Sequence, residues 1–196
     1  MTEIATTGVN PWLIASTTLS GGDQKPILRF EKGDWLLGQD KKELKHGTLL
    51  LANMAGVEWG WVRWQDSRPT DRRMGLLAEG YQVEPRDALP DRDKDMWDLD
   101  DKGYKRDPWQ KMIEIPVRIP DGDELLMAGG SRGWEGCCKA LFEAYGKGLK
   151  EGRQGTPVIK LGGSHYDHKM YGRVKVPVLE LVEWRTGEVK KKLTKF

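Results

Sequence analysis

From Val57 to Trp64 the chain alternates, with Val57, Trp59, Trp61 and Arg63 on one parity and Glu58, Gly60, Val62 and Trp64 on the other. Period two with many aromatic residues predicts a β-strand. Residues 26–30, 34–37 (around Trp35) and 74–81 read as further short strands. Residues 48–54 form a continuous apolar run, which suits a buried strand. Ser67, Arg68 and Pro69 read as a turn. Residues 111–119 alternate again. Pro120, Asp121, Gly122 and Asp123 then turn the chain into a return strand at 124–128. A strand at 157–161, a loop over 162–172 and a long strand at 173–184 complete the series. One segment has helical period: Trp134, Cys137, Cys138, Leu141, Phe142 and Tyr145 fall at i, i+3, i+4, i+7, i+8 and i+11, with Glu135, Lys139 and Glu143 off the stripe. Gly146 reads as its stop, which gives one main amphipathic helix over about 132–146. The class is α+β, mostly antiparallel β, and many short strands with one helix fit a small closed barrel.

Composition narrows this picture. The 196 residues suit one β-rich domain at 25–186, a flexible Thr/Ser/Gly-rich arm at 1–24 and a basic tail at 187–196. Hydrophobic residues are 38% and charged residues 32%, enough for one core. With 32 basic and 30 acidic residues the net charge is +2, which excludes a histone-like or ribosomal composition. The longest charge-free apolar stretch, 49–57, is too short to span a bilayer. Residues 1–20 lack a basic residue, which argues against a secretory leader. Adjacent Cys137 and Cys138 make no disulfide framework, so a reducing, cytoplasmic setting is expected. The charge is uneven. Residues 139–196 hold thirteen basic and six acidic side chains (+7), leaving −5 for the other 138. The deficit concentrates at 84–107, a long acidic loop rich in alternating charge, with Trp97 as an anchor to the core.

Three constellations carry candidate chemistry. Tyr171, Arg173 and Lys175 share one face of a strand, and Val174, Val176 and Val178 share the other. Trp61 and Arg63 make a similar pair. Rings stack bases and cations follow phosphates, which a single-stranded nucleic acid requires. The plain alternative is that the nine Trp fill the core and the cations form a solvated face. Second, Gly129-Gly130-Ser131-Arg132-Gly133 matches the G-x-S-x-G elbow of hydrolases, with Asp167 and His168 following in order. That fold needs a parallel sheet with crossover helices, and only one helix is predicted. Freed backbone N–H groups at a helix start, beside Ser131 and Arg132, suit a phosphate better, and Ser131 as a helix cap is simpler still. Third, His165, Asp167 and His168 could ligate a metal. The same loop, with Tyr166 and Lys169, also suits nucleic acid. No Walker loop, G-x-G-x-x-G or Cys-x-x-Cys occurs, so no cofactor is implied and no enzyme is expected.

The succession WGWVRWQDSRPTDRRMGLLAEGY, RDPWQ, SRGWEGCCKALFEAYG and SHYDHKMYGRVKVPVLELVEW, from about Phe30 to Trp184, resembles a group of small proteins of tailed bacteriophages and prophages. The resemblance implies an OB-like barrel, and a non-sequence-specific binder of single-stranded DNA acting in phage DNA replication or recombination inside the bacterial host. On this reading Trp61, Tyr166 and Tyr171 stack on bases, while Arg63, Arg132, Lys169, Arg173 and Lys175 hold phosphates. Many such proteins end in an acidic tail that recruits replication partners. Here Lys190, Lys191, Lys192 and Lys195 make the tail basic, a departure from that pattern. The competing reading is a phage protein-binding module, or an inhibitor of a host nucleic-acid enzyme, with the acidic loop imitating nucleic acid, although its six basic residues dilute that effect. Further expected partners are a replication or recombination protein and a second copy of the chain, joined at sheet edges.

Overall fold

The computed structural model describes residues 25–100, 103–170 and 172–186. The arm at 1–24, the tail at 187–196 and Tyr171 lie outside the described residues. The strands are β1 (Ile27–Glu31), β2 (Asp34–Leu37), β3 (Lys42–Leu44), β4 (Leu49–Ala52), β5 (Glu58–Gln65), β6 (Arg68–Leu76), β7 (Trp109–Arg118), β8 (Glu124–Gly129), β9 (Thr156–His168) and β10 (Gly172–Arg185), with helix α1 (Arg132–Lys150) between β8 and β9. The protein is α+β and mostly antiparallel. Parallel pairing among the described residues is confined to β1 with β8, where Ile27 faces Leu126 and Leu28 faces Met127.

One sheet runs β10-β9-β4-β7-β8-β1-β2-β3, and β5 with β6 branches from it. The long strand β7 causes the branch. One of its edges takes β5 along residues 109–114 and then β4 at 117 and 118, while its other edge takes β8. The sheet curls, so that Trp35 on β2 donates its indole N–H to the Gly162 carbonyl on β9 at 2.9 Å. It does not close, because β10 and β3 are the two ends of the order. The small closed barrel expected from the sequence is therefore corrected to an open, curled sheet.

The core lies inside the curl. Ile113, Ile115 and Val117 alternate inward from β7 and meet Leu28, Trp35, Leu50, Met127, Ile159 and Leu161. The helical stripe is as predicted: Trp134, Cys137, Cys138 and Leu141 are buried, with Phe142 and Tyr145 packed beside them. Burial pushes the Cys137 thiol up to about 12 and raises Cys138 as well. The helix does not stop at Gly146. It continues to Lys150, because Gly148 lets the Trp184 ring of β10 lie directly on its backbone, where a Cβ would collide. Tyr145 stacks on that ring, with centroids 5.2 Å apart and planes 14° apart. Tertiary packing here outweighs the glycine penalty of about 1 kcal/mol per residue.

Two further corrections concern the strands. The turn after β5 is Asp66-Ser67, both at positive φ (48° and 61°), so Arg68 and Pro69 belong to β6. Proline is tolerated there because β6 pairs on one side only. Residues 162–168 form no loop. They extend β9 into a long hairpin with β10, broken by one irregularity between Leu181 and Glu183. Residues 84–107 are, where described, a wing of short 3-10 turns with a single bridge from Leu99 to Lys105. No helix among the described residues is long and apolar enough to cross a membrane.

Candidate nucleic-acid interface

Helix α1 runs alongside β10: Gly133 lies against Val176 and Gly148 against Trp184. This sets the helix start beside the stem of the β9–β10 hairpin and the end of β1. Between them is a groove of about 460 Å³, lined by Arg29, Lys32, Arg132 and Lys175, by Tyr166, and by the Gly129–Gly133 connection. Its floor is aromatic and held in place. Phe30 packs edge-on to Trp35 at 5.1 Å, and Trp35 packs edge-on to Trp134 at 6.4 Å. The buried Trp134 indole donates to the Ile113 carbonyl at 3.0 Å.

The electrostatics of the groove are one-sided. Arg29, Lys32, Arg132 and Lys175 are all exposed, and none of them forms an ion pair among the described residues. The carboxylate lining the groove, Glu31, is held by Lys41 at 2.8 Å, and that hydrogen bond lowers its pKa. Lys32 and Gly33 form the β1–β2 turn, both at positive φ (51° and 107°). A two-residue turn of this kind needs positive φ at both positions. The stem of Lys175 lies over Gly33, where a Cβ would run into it, and the His46 ring donates to the Gly33 carbonyl at 3.0 Å.

The glycine-rich connection leads from β8 into α1. Ser131 Oγ accepts from the Trp134 N–H at 3.2 Å and so caps the helix, worth about 1 kcal/mol. The strand before it pairs antiparallel with β7 and in parallel with β1 at two residue pairs, which is not the parallel sheet of an elbow hydrolase. His165 and Asp167 share one face of β9 and His168 takes the other, so the three do not converge on a point. His168 Nδ1 accepts from the Met170 N–H at 3.2 Å, inside the hairpin turn. Among the described residues no group of three or more His, Cys, Asp or Glu could hold a metal ion.

The residues singled out from the sequence divide into two places. Arg132, Tyr166 and Lys175 line the groove. Tyr166 is 50% exposed and edge-on to His168 at 6.5 Å. Lys169 sits exposed at the hairpin tip, and Arg173 lies 3.7 Å from Asp167, directly across the hairpin. Tyr171 lies outside the described residues. Trp61 and Arg63 are elsewhere, under the wing. The Trp61 indole donates to the Glu84 carbonyl at 2.8 Å, and Arg63 grips Asp91 at 2.9 Å. Arg63 holds the Asp91 carboxyl below the usual carboxylate range, helped by the Trp109 indole at 2.9 Å.

Arg29 and Lys32 were not foreseen. Arg29 stands within a short apolar strand and Lys32 at a hairpin turn, and nothing in the sequence placed that turn beside residue 175. A Lys-Gly pair between two short strands was the available signal for the turn itself. Compared with known proteins, the chain matches no family model, no curated protein and no solved structure.

Proposed function

We propose that this protein binds single-stranded DNA without base-specific readout, in the setting of phage DNA replication or recombination. The observation that supports the reading is the groove itself: four cations without carboxylate partners among the described residues, the capped start of a nineteen-residue helix and the half-exposed ring of Tyr166, all at one place. Phosphates would lie along Arg29, Lys32, Arg132 and Lys175 while a base stacks on Tyr166. The exposed hairpin tip, with Lys169 and Arg173, would extend the contact along the strand. An OB-type binder uses a curved sheet flanked by hairpins in this way, and an open curled sheet can offer the same platform without closing.

Tryptophan quenching is a weak assay for this site, because the indoles of Trp35, Trp59, Trp61, Trp97, Trp109 and Trp134 are all hydrogen-bonded within the protein. The suitable test is the anisotropy of a labelled oligothymidine titrated with protein over a salt series. Saturable binding at low salt is expected. Neutralising four phosphates gives a log–log salt slope of roughly −3 for a single strand. No saturable binding at low salt, or an affinity indifferent to salt, overturns the reading.

A further inference from the structure

A second groove, of about 380 Å³, lies at the start of β9, the end of that strand away from the hairpin tip. Its lining is largely apolar. Leu51 and Met54 are buried, Pro116, Tyr145 and Pro157 stand beside them, and Ala55 is exposed at the rim. The rim is fixed in place. Asn53 donates its backbone N–H to the Pro116 carbonyl at 2.9 Å, and its side chain accepts from the Gly56 N–H at 3.2 Å. Three charged side chains border the groove. Lys25 pairs with Glu124 at 2.9 Å, and Arg118 lies across the ladder from Glu124, so the border is net positive.

Both ends of the described domain meet this groove. Lys25 forms part of its wall, and Arg185 and Thr186 lie against Gly155, which lines it too. Residues 1–24 therefore enter the domain here, and residues 187–196 leave it here.

Charge and apolar content choose between the two segments. The tail would bring Lys190, Lys191, Lys192 and Lys195 to a border that is already positive, and its Leu193 and Phe196 follow those cations. Residues 4–22 carry no charge and hold the run Trp12-Leu13-Ile14-Ala15. Burying that run takes no charge out of water. Gly21 and Gly22 free the backbone to double back just before Lys25. Thirteen residues separate Trp12 from Lys25, a reach of at most about 45 Å, which allows that return. The tether also selects the copy. It presents the run at an effective concentration on the order of millimolar, above that of any second copy in dilute solution.

We propose that residues 12–15 dock in this groove of their own chain. The contact stands apart from the nucleic-acid reading, since the two grooves share no lining residue, and it needs no DNA.

The test is fluorine NMR on the full chain labelled with 5-fluorotryptophan, without nucleic acid. The Trp12 signal is the one lost in Trp12→Phe. It is expected away from the position it takes in a labelled synthetic peptide of residues 8–18. Ala55→Arg, which sets a bulky cation at the rim, is expected to return it to that position. A second measurement is independent of the label. Leu13→Cys with Ala55→Cys is expected to close a disulfide within one chain roughly tenfold faster than Leu13→Cys with Ala88→Cys, on the exposed wing. The native Cys137 and Cys138 are buried and do not compete. Thermal melts check that each variant folds. A wild-type Trp12 signal at the peptide position overturns the proposal, and so does a displaced signal that survives Ala55→Arg. Equal closure rates for the two cysteine pairs overturn it as well. Closure only between chains overturns it in favour of a second copy as the occupant.

Discussion

At the groove, Arg29, Lys32, Arg132 and Lys175 are exposed and have no carboxylate partner among the described residues, whereas at the root of the wing Arg63 and Arg86 each close on an aspartate. The two regions draw on the same residue types, and their formal charges would look alike in a window count. They differ in satisfaction. The root of the wing has matched its guanidinium donors to carboxylates and carbonyls, so its electrostatics contribute to folding. The groove leaves its cations to water, which stabilises nothing in the free protein and leaves them available to a ligand. The partners differ accordingly: Arg63, expected from the sequence to hold phosphate, is engaged by Asp91, while Arg29, which the sequence reading did not single out, lines the groove.

The sharpest way to break this comparison is charge reversal in the groove. Lys175→Glu together with Arg132→Glu is expected to weaken oligothymidine binding roughly a hundredfold, about tenfold per charge-assisted contact. The salt slope should become shallower at the same time. Melting temperature should stay within a degree or two of wild type, because neither side chain forms an ion pair among the described residues and both are exposed. Affinity measured by anisotropy and stability measured by thermal melt read the two halves of this expectation separately. Unaltered affinity would mean that the unpaired cations are not the ligand site.

The reciprocal change sharpens it. Arg63→Ala removes the main partner of a partly buried Asp91 and should cost about 1–2 kcal/mol, lowering the melting temperature by several degrees. Oligothymidine affinity should change less than about twofold. The pH dependence has a definite sign. Arg63 holds the folded pKa of Asp91 below its unfolded value, so the clamp's contribution is fully present above about pH 4 and is lost as pH falls through the folded value. In Arg63→Ala that contribution is gone, and the acid-side loss of stability should be smaller. Melts at pH 7 and at pH 3 for both proteins check this. If Arg63→Ala abolished DNA binding while leaving stability intact, the assignment of clamp and groove would be reversed.

How much of this was legible in the sequence follows the range of the forces involved. Local period revealed β5, the β7–β8 hairpin and the buried stripe of α1, because alternation and helical spacing are properties of neighbouring residues. The β9–β10 hairpin was half hidden. Gly162 and Gly163 interrupt the alternation there, since that backbone sits beside the indole of Trp35 and the rings of Phe30 and His46. Opening of the sheet was not legible, because it depends on β7 serving two strands along one edge. Pairing of charges across 21 and 28 residues, Arg86 with Asp107 and Arg63 with Asp91, is invisible to any window. Of the residues that line the groove, the sequence named Arg132, Tyr166 and Lys175, but it could not show that Trp61 and Arg63 lie apart from them or that Arg29 and Lys32 lie beside them.

The smallest expected effect tests how the groove is held in shape. Gly33 sits at a φ of 107°, where a side chain is strained, and the space a Cβ would need is filled by the stem of Lys175. Gly33→Ala therefore acts on the β1–β2 turn and on Lys175 at once. The backbone strain should cost about 1 kcal/mol, a few degrees of melting temperature. The displaced Lys175 is flexible and should re-seat, so oligothymidine affinity should fall only about two- to fivefold, with the salt slope unchanged because no charge is lost. Lys175→Ala separates the two contributions: it keeps the turn, removes the charge, and should lower the slope by close to one phosphate's worth. If Gly33→Ala were as damaging to binding as Lys175→Ala while costing no stability, the β1–β2 turn would itself contact the ligand, and the groove would extend onto the backbone of Lys32 and Gly33.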